Sequence, residues 1–272
     1  MLRPRIIPCL LIHDGGLVKT TRFGSPKYVG DPLNAVRIFN EKETDEIIVL
    51  DIDASTRSVE PNLTVIAQLA SECRMPLCYG GGVRSVELAS RIISLGVEKV
   101  SLSSAFFSDP LLIRRIADQV GSQSVVVTLD VKRNPSTGRY EVWTHNATRN
   151  TSVEAAGAAA KAQDLGAGEI VVNSVDNDGV MRGYDLDLAA LARRTVGIPL
   201  TIMGGAGSLD DIARLIGACG VIGAAAGSLF VFKGTFRAVL INYPNQAQKD
   251  AVCDAALSVG GAPSSKPHDR RE

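Results

Sequence analysis

The chain has 272 residues, of which 45% are hydrophobic, 21% charged and 5% aromatic, with 26 Gly and 12 Pro. That balance excludes a largely disordered or collagen-like chain, and the length suits two ordinary domains or one α/β barrel of about 250 residues. Basic and acidic residues both number 29, so net charge is zero and the chain-wide electrostatic footprint of a nucleic-acid or anionic-membrane binder is absent.

Eight short apolar runs rich in Val and Ile follow one another, at 5–12, 47–52, 77–79, 99–103, 124–130, 169–173, 199–203 and 221–225. Each is nearly continuously apolar, as in a strand buried on both faces. Helical patterns separate them, at 31–45, 60–74, 85–95, 110–120, 152–165, 186–194 and 209–218. Leu88, Ile92, Ile93 and Leu95 form the apolar stripe of one of these. A further helix is expected within 231–259, broken or restarted near Pro244. Strand then helix, eight times, predicts an α/β fold of the (βα)8 TIM barrel type, as a single domain over residues 1–259. An open doubly wound sheet is the alternative. Residues 260–272 are polar and rich in Pro, Gly and Ser, and are expected to be disordered.

Cys9, Cys73, Cys78, Cys219 and Cys253 are scattered without a CxxC pair or a His cluster. They read as reduced core residues, so no metal, cofactor or disulfide is expected. No apolar run reaches membrane-spanning length, and the start lacks a signal-peptide core, so a cytoplasmic protein is expected.

An internal repeat supports barrel closure. At a constant offset of 124, Gly80-Gly81 aligns with Gly204-Gly205, Ala89 with Ala213 and Ile92 with Ile216. Gly96 aligns with Gly220, Ser104 with Ser228 and Phe106 with Phe230. The first strand aligns with 125–131 at an offset of 119, giving two copies of a (βα)4 half-barrel.

Active sites of such barrels lie where strands end and βα loops begin. Gly80-Gly81-Gly82 with Ser103-Ser104, and Gly204-Gly205-Ala206-Gly207 with Ala226-Gly227-Ser228, follow equivalent strands. Glycines let the backbone approach a phosphate, and serines add hydroxyl donors. The pair of sites suits a small molecule phosphorylated at both ends or carrying a pyrophosphate. Carboxylates crowd the same mouth: Asp14, Asp51, Asp53, Asp130, Asp176 and Asp178. Asp130 ends an otherwise apolar run and is the candidate catalytic base. Asp51 and Asp176 either orient loops or bond a ligand hydroxyl. Lys19, in the Gly15–Lys19 loop, either reaches an anionic ligand or is solvated; it joins Asp130 and Asp178 as a candidate catalytic residue. The first-half equivalent of Asp130 is Leu11, so no symmetrical acid–base pair exists. His13 is expected as an outward-facing loop residue. Arg5, Glu46, Lys99 and Glu169 precede four strands; by spacing alone they read as solvated strand-end charges rather than as a ring.

These residues together resemble the cyclase subunit of imidazole glycerol phosphate synthase, from Arg3 to Tyr243. The resemblance rests on Arg5-Ile6-Ile7-x-Cys9-Leu10, Asp14-Gly15-x-x-Val18-Lys19, Gly80-Gly81-Gly82, Val126-Val127-x-x-Asp130-x-Lys132-Arg133, Asp176-x-Asp178-Gly179 and Gly204-Gly205-Ala206-Gly207. It implies a barrel that docks a class I glutaminase subunit on its bottom face and passes ammonia up to the site. Arg5, Glu46, Lys99 and Glu169 match that family's charged gate, which lifts them above the solvated reading. Asp130 matches one of two catalytic aspartates, and Gly82, Ser104, Gly205 and Gly227 match phosphate-site positions. The other aspartate falls on Leu11; the family's Ser is Met203, its Asn is Ser103 and its Thr is Asn173. The stretches 3–11 and 71–79 look like a paralogous branch from surface-polysaccharide (O-antigen) gene sets. That branch works with a third, amidotransferase-type protein to turn an acetamido group on a nucleotide sugar into an acetamidino group. The histidine-pathway cyclase and a catalytically silent ammonia conduit are the alternatives.

Overall fold

The computed structural model describes residues 3–260. Eight parallel strands close on themselves: β1 (Arg5–His13), β2 (Ile47–Asp51), β3 (Leu77–Gly80), β4 (Lys99–Leu102), β5 (Val125–Arg133), β6 (Glu169–Ser174), β7 (Leu200–Met203) and β8 (Gly223–Ala226). Each pairs with the next in sequence, and β8 returns to β1 through Arg5↔Gly223 and Ile7↔Ala225. The open-sheet alternative is therefore excluded. Around the barrel run α1 (Pro32–Glu41), α2 (Leu63–Glu72), α3 (Val86–Ser94), α4 (Leu111–Val120), α5 (Ala155–Asp164), α6 (Leu186–Thr195), α7 (Leu209–Cys219) and α8 (Gln246–Gly260).

Local chemistry sets where helices start. Asp31, Asn62, Ser85 and Asp185 each accept from a backbone N–H three residues on, which satisfies an otherwise orphaned donor. Ser208 and Asp211 form a full capping box at α7. The strands bury both faces in two separate cores. Ile7, Cys9, Ile48, Cys78, Val126, Val171, Met203 and Ala225 fill the barrel, while a larger cluster lies between strands and helices. That double burial is why the strands read as continuous apolar runs.

The two halves carry more of the repeat than the sequence reading recognised. Hairpin strands Gly16–Thr21 and Gly24–Gly30 follow β1, and Tyr140–Thr144 and Arg149–Glu154 follow β5. The offset is again 124 at both ends. Lys19 thus lies on a buried strand and not in a loop. The helix expected from 152 begins at Ala155, because 152–154 are extended. The helix expected from 231 is also corrected. Ser228–Val231 is a short helical turn, Phe232–Lys233 pairs with Ala238–Val239 across a turn at Gly234 (φ +72°), and α8 begins only after Pro244. The expected disordered segment overlaps α8 at Gly260; residues 261–272 lie outside the described residues. Among the described residues no helix is long and apolar enough to cross a membrane.

Candidate active site

The carboxyl ends of the strands open into a cavity of about 1140 Å³. Of the predicted site residues, it gathers Leu11, Lys19, Asp51, Gly81, Ser103, Ser104, Asp130, Asp178, Gly204, Gly205, Ala226, Gly227 and Ser228. Gly82 lines an adjoining recess with Arg84 and Ser104. Asp14, Asp53 and Asp176 are not among the lining residues. Asp14 is exposed and pairs with Arg57 at 2.6 Å, and Asp176 Oδ2 accepts the Arg133 N–H at 2.9 Å, an orienting role for a loop. Asp51 does similar work from inside, accepting from the N–H groups of Asp53 and Ala54. His13 ends β1 as a strand residue, and its Nδ1 lies 2.7 Å from Asp53 Oδ1.

The two glycine-rich loops face each other across the mouth. Gly81 (φ +116°) and Gly205 (φ +114°) occupy the left-handed region, and a side chain at either would run into the backbone of Asp51 or Gly183. Each loop is followed by a strand whose end leads into Ser104 or Ser228. Both hydroxyl residues reach the cavity.

Asp130 stands on the polar side of the floor. Desolvation by the cavity walls pushes its carboxyl up to about 7, with the neighbouring Asp178 adding to the rise and the Asn173 amide partly opposing it. Asn173 Nδ2 donates to Asp130 Oδ1 at 3.0 Å from the paired position on β6. Asp178 is also raised by burial, against the pull of its donors, Thr20 Oγ1 at 2.8 Å and the Phe23 N–H at 3.3 Å. Lys19 Nζ donates to the Cys9 carbonyl, and burial lowers its pKa. Facing this group, Cys9, Leu11, Leu50 and Met203 make an apolar wall.

Sequence reasoning missed the hairpins' contribution. Thr20 and Phe23 come from the first and hold Asp178. His145 and Asn146 come from the tip of the second and line the cavity. Asn146 Nδ2 donates to the Ile52 carbonyl at 2.9 Å, tying that tip to the loop after β2. His145, Asn146 and Ala147 are all left-handed (φ 53°, 53° and 58°), a run that only such anchoring sustains. The alternation in Tyr140-Glu141-Val142-Trp143-Thr144 was the available signal.

At the opposite end of the barrel four charges alternate in a closed ring. Arg5 pairs with Glu46 and, at 2.8 Å, with Glu169; Lys99 Nζ lies 2.7 Å from Glu46 and 2.8 Å from Glu169. Thr201 Oγ1 donates to Glu169 at 2.6 Å. Both glutamates are buried, which corrects the reading of solvated strand-end charges. Burial alone would raise Glu169, but Arg5 and Lys99 override it and hold the carboxyl down to about 2. Between the ring and Asp130 the barrel is filled by the apolar core and by Ser101 and Thr128, whose hydroxyls lie 2.6 Å apart.

Comparison with known proteins places this geometry. The family model described as "Histidine biosynthesis protein" matches residues 5–237. A protein of Vibrio vulnificus (strain YJ016), provisionally named imidazole glycerol phosphate synthase subunit hisF3, is 57% identical over 249 residues, covering 92% of this chain and 96% of its own. A Leptospira borgpetersenii protein, provisionally named subunit HisF, is 54% identical over 252 residues, 93% of this chain and 99% of its own. The imidazole glycerol phosphate synthase subunit HisF of Chlorobaculum tepidum is 42% identical over 233 residues, 86% of this chain and 92% of its own. With a closed eight-stranded barrel, matched glycine loops and these relatives over nearly its whole length, the chain belongs to the histidine biosynthesis protein family and, within it, to the HisF-like cyclase subunits of imidazole glycerol phosphate synthase.

Proposed function

We propose that this barrel is the ammonia-using synthase subunit of an amidotransferase complex whose product is an acetamidino group on a nucleotide sugar. In this reading a glutaminase docks against the lower face, and ammonia enters through the ring of Arg5, Glu46, Lys99 and Glu169. It then reaches an anion-anchored acceptor beside Asp130. The acceptor's diphosphate uses one of the two anion sites, the Gly81–Gly82/Ser104 or the Gly205/Gly227–Ser228 loop. An amide oxygen leaves poorly, so the third, amidotransferase-type protein first transfers a phosphoryl or nucleotidyl group to it from a nucleoside triphosphate. Ammonia then attacks the activated carbon, Asp130 takes a proton that the nitrogen sheds, and the C–O bond breaks with the oxygen leaving on the phosphate.

The observation that carries this reading is Leu11. It sits on the cavity wall at the position equivalent to Asp130 and cannot transfer a proton. Closing an imidazole ring from both sides would need an acid there, and losing one costs about 10²–10⁴ in rate. Amidine formation has no such requirement, and an apolar wall of Leu11, Leu50 and Met203 suits the acetyl methyl. The test is complementation of a histidine auxotroph that lacks its own cyclase. No growth is expected; growth at the normal rate would sink the proposal. In the assembled complex, 15N-ammonium should appear in the acetamidino product by mass spectrometry.

One observation favours a second reading. Asp178 lies close enough to Asp130 to raise its pKa, and it supplies a second carboxyl to the same cavity. If Asp178 acts as the acid, the histidine-pathway cyclase named for the relatives becomes the function, and the auxotroph grows.

A further inference from the structure

Asn173 holds one hydrogen-bonding atom that neither reading uses. The residue is only 3% exposed and lies on β6, directly paired with Asp130 of β5. Its Nδ2 donates to Asp130 Oδ1 at 3.0 Å, yet the other end of the same amide, Oδ1, is buried without a hydrogen-bond partner in the protein. Leaving such a carbonyl oxygen unpaired costs about 1–3 kcal/mol, and native proteins seldom keep one without a use. Against the ionised Asp130 carboxylate a reversed amide would set a carbonyl, so whenever Asp130 serves as a base it imposes this orientation and the orphan with it.

The surroundings restrict what can satisfy it. Met203 of β7 is paired with Asn173, and its thioether has no hydrogen to give. Gly204 passes close by; a Cβ there would lie 3.1 Å from Oδ1, so a side chain would close the space. Ser101 and Thr128 pair with each other, and neither hydroxyl hydrogen-bonds Oδ1. The missing partner must carry an N–H or O–H, be small, and lie beside Asp130. A phosphate dianion or an ether oxygen brings no hydrogen and fails. Asn173 lines the cavity beside Asp130, and the last torsion of asparagine is broad enough for its amide to adjust to a bound donor.

We infer that Asn173 is the positioning residue for the nitrogen nucleophile, its Oδ1 accepting one N–H while Asp130 accepts another. This rests on the ammonia-using reading. Two acceptors on adjacent strands fix two N–H directions and leave the nitrogen lone pair directed away from the β5–β6 wall, toward the acceptor carbon. A hydroxyl-bearing residue at 173 supplies an acceptor too, whereas an aliphatic one does not.

The test uses the full chain with 13C-labelled aspartate carboxyls, the Asp130 resonance being assigned with Asp130→Asn. Ammonium chloride is titrated at neutral and at mildly alkaline pH, where the share of free ammonia rises, against potassium chloride at equal ionic strength, since potassium is a similar cation without hydrogens. In the natural chain the Asp130 resonance is expected to move saturably with ammonium and not with potassium. Asn173→Leu is expected to raise the half-saturating ammonium concentration about tenfold or more, the equivalent of about 1.4 kcal/mol. Asn173→Thr is expected to stay much closer to the natural chain. If Asn173→Leu titrates like the natural chain, the role of Asn173 is overturned while the ammonia reading survives. If ammonium and potassium act alike on the natural chain, both fall. Should Asn173→Leu not fold, the isosteric pair Asn173→Thr and Asn173→Val makes the same comparison.

Discussion

Asp130 is a carboxyl group titrating near 7 in a pocket whose facing wall is aliphatic. Its folded pKa is raised above the ordinary 3.8, so the folded state holds the proton more tightly. The stability this contributes is full below about pH 4 and is lost as pH rises through about 7. Calorimetry on the natural chain should therefore show an Asp130-dependent fall in thermal midpoint between about pH 4 and about pH 7, with Asp130→Asn flattening that fall. The same substitution should cost about 10²–10⁴ in product formation by the assembled complex. Unchanged product formation would instead favour a silent conduit. Part of this site was legible in advance. Leu11 stood out because the repeat aligned it with Asp130, and Asn173 stood out as a departure from the family. Their consequences were not legible, since the Asn173–Asp130 bond depends on the register of two strands 43 residues apart.

At the level of elements, strands and helices of the barrel could be read because burial on both faces leaves continuous apolar runs and burial on one leaves stripes. The two hairpins could not. Their strands are short, the second of each is largely exposed, and their turns use left-handed Arg22, Phe23, His145, Asn146 and Ala147 instead of the usual glycines. Yet they bring Lys19, Thr20 and Phe23, and His145 and Asn146, to the cavity. Asn146→Ala removes the bond to Ile52 and should release the second tip; faster amide exchange at 145–148 and weaker pyrophosphate binding by calorimetry are expected. The charged ring was hidden from spacing alone, which shows which charges precede strands and not that they converge; the family resemblance supplied it. Glu169→Gln breaks two ion pairs of that ring and should destabilise by up to about 3–5 kcal/mol, less where water reaches Arg5 and Lys99. Glu169 is held low, so its contribution is present above the ordinary 4.5 and is lost as pH falls toward about 2. The variant should accordingly show a flatter acid limb in denaturation midpoint against pH.

Over the whole molecule, the segment between β8 and α8 reaches back to the first strand. The Tyr243 hydroxyl donates to the Ile6 carbonyl at 2.8 Å and accepts from the Asp45 N–H at 3.2 Å, while its ring meets Phe39 and Phe230. Beyond it, α8 packs on α7 and buries Val252 and Ala256. Tyr243→Phe keeps the ring and deletes both hydrogen bonds; a loss of about 1–3 kcal/mol in urea denaturation is expected.

The matched glycine loops across the mouth, with aspartate on one side of the floor and leucine on the other, have a consequence for traffic through the enzyme. A molecule that carries one diphosphate can seat it at either loop of this bowl. Only one direction sets an off-centre reactive carbon over Asp130. Turned end for end, the same molecule rests its reactive carbon on hydrocarbon and waits, so this non-productive seating should lower kcat and KM together.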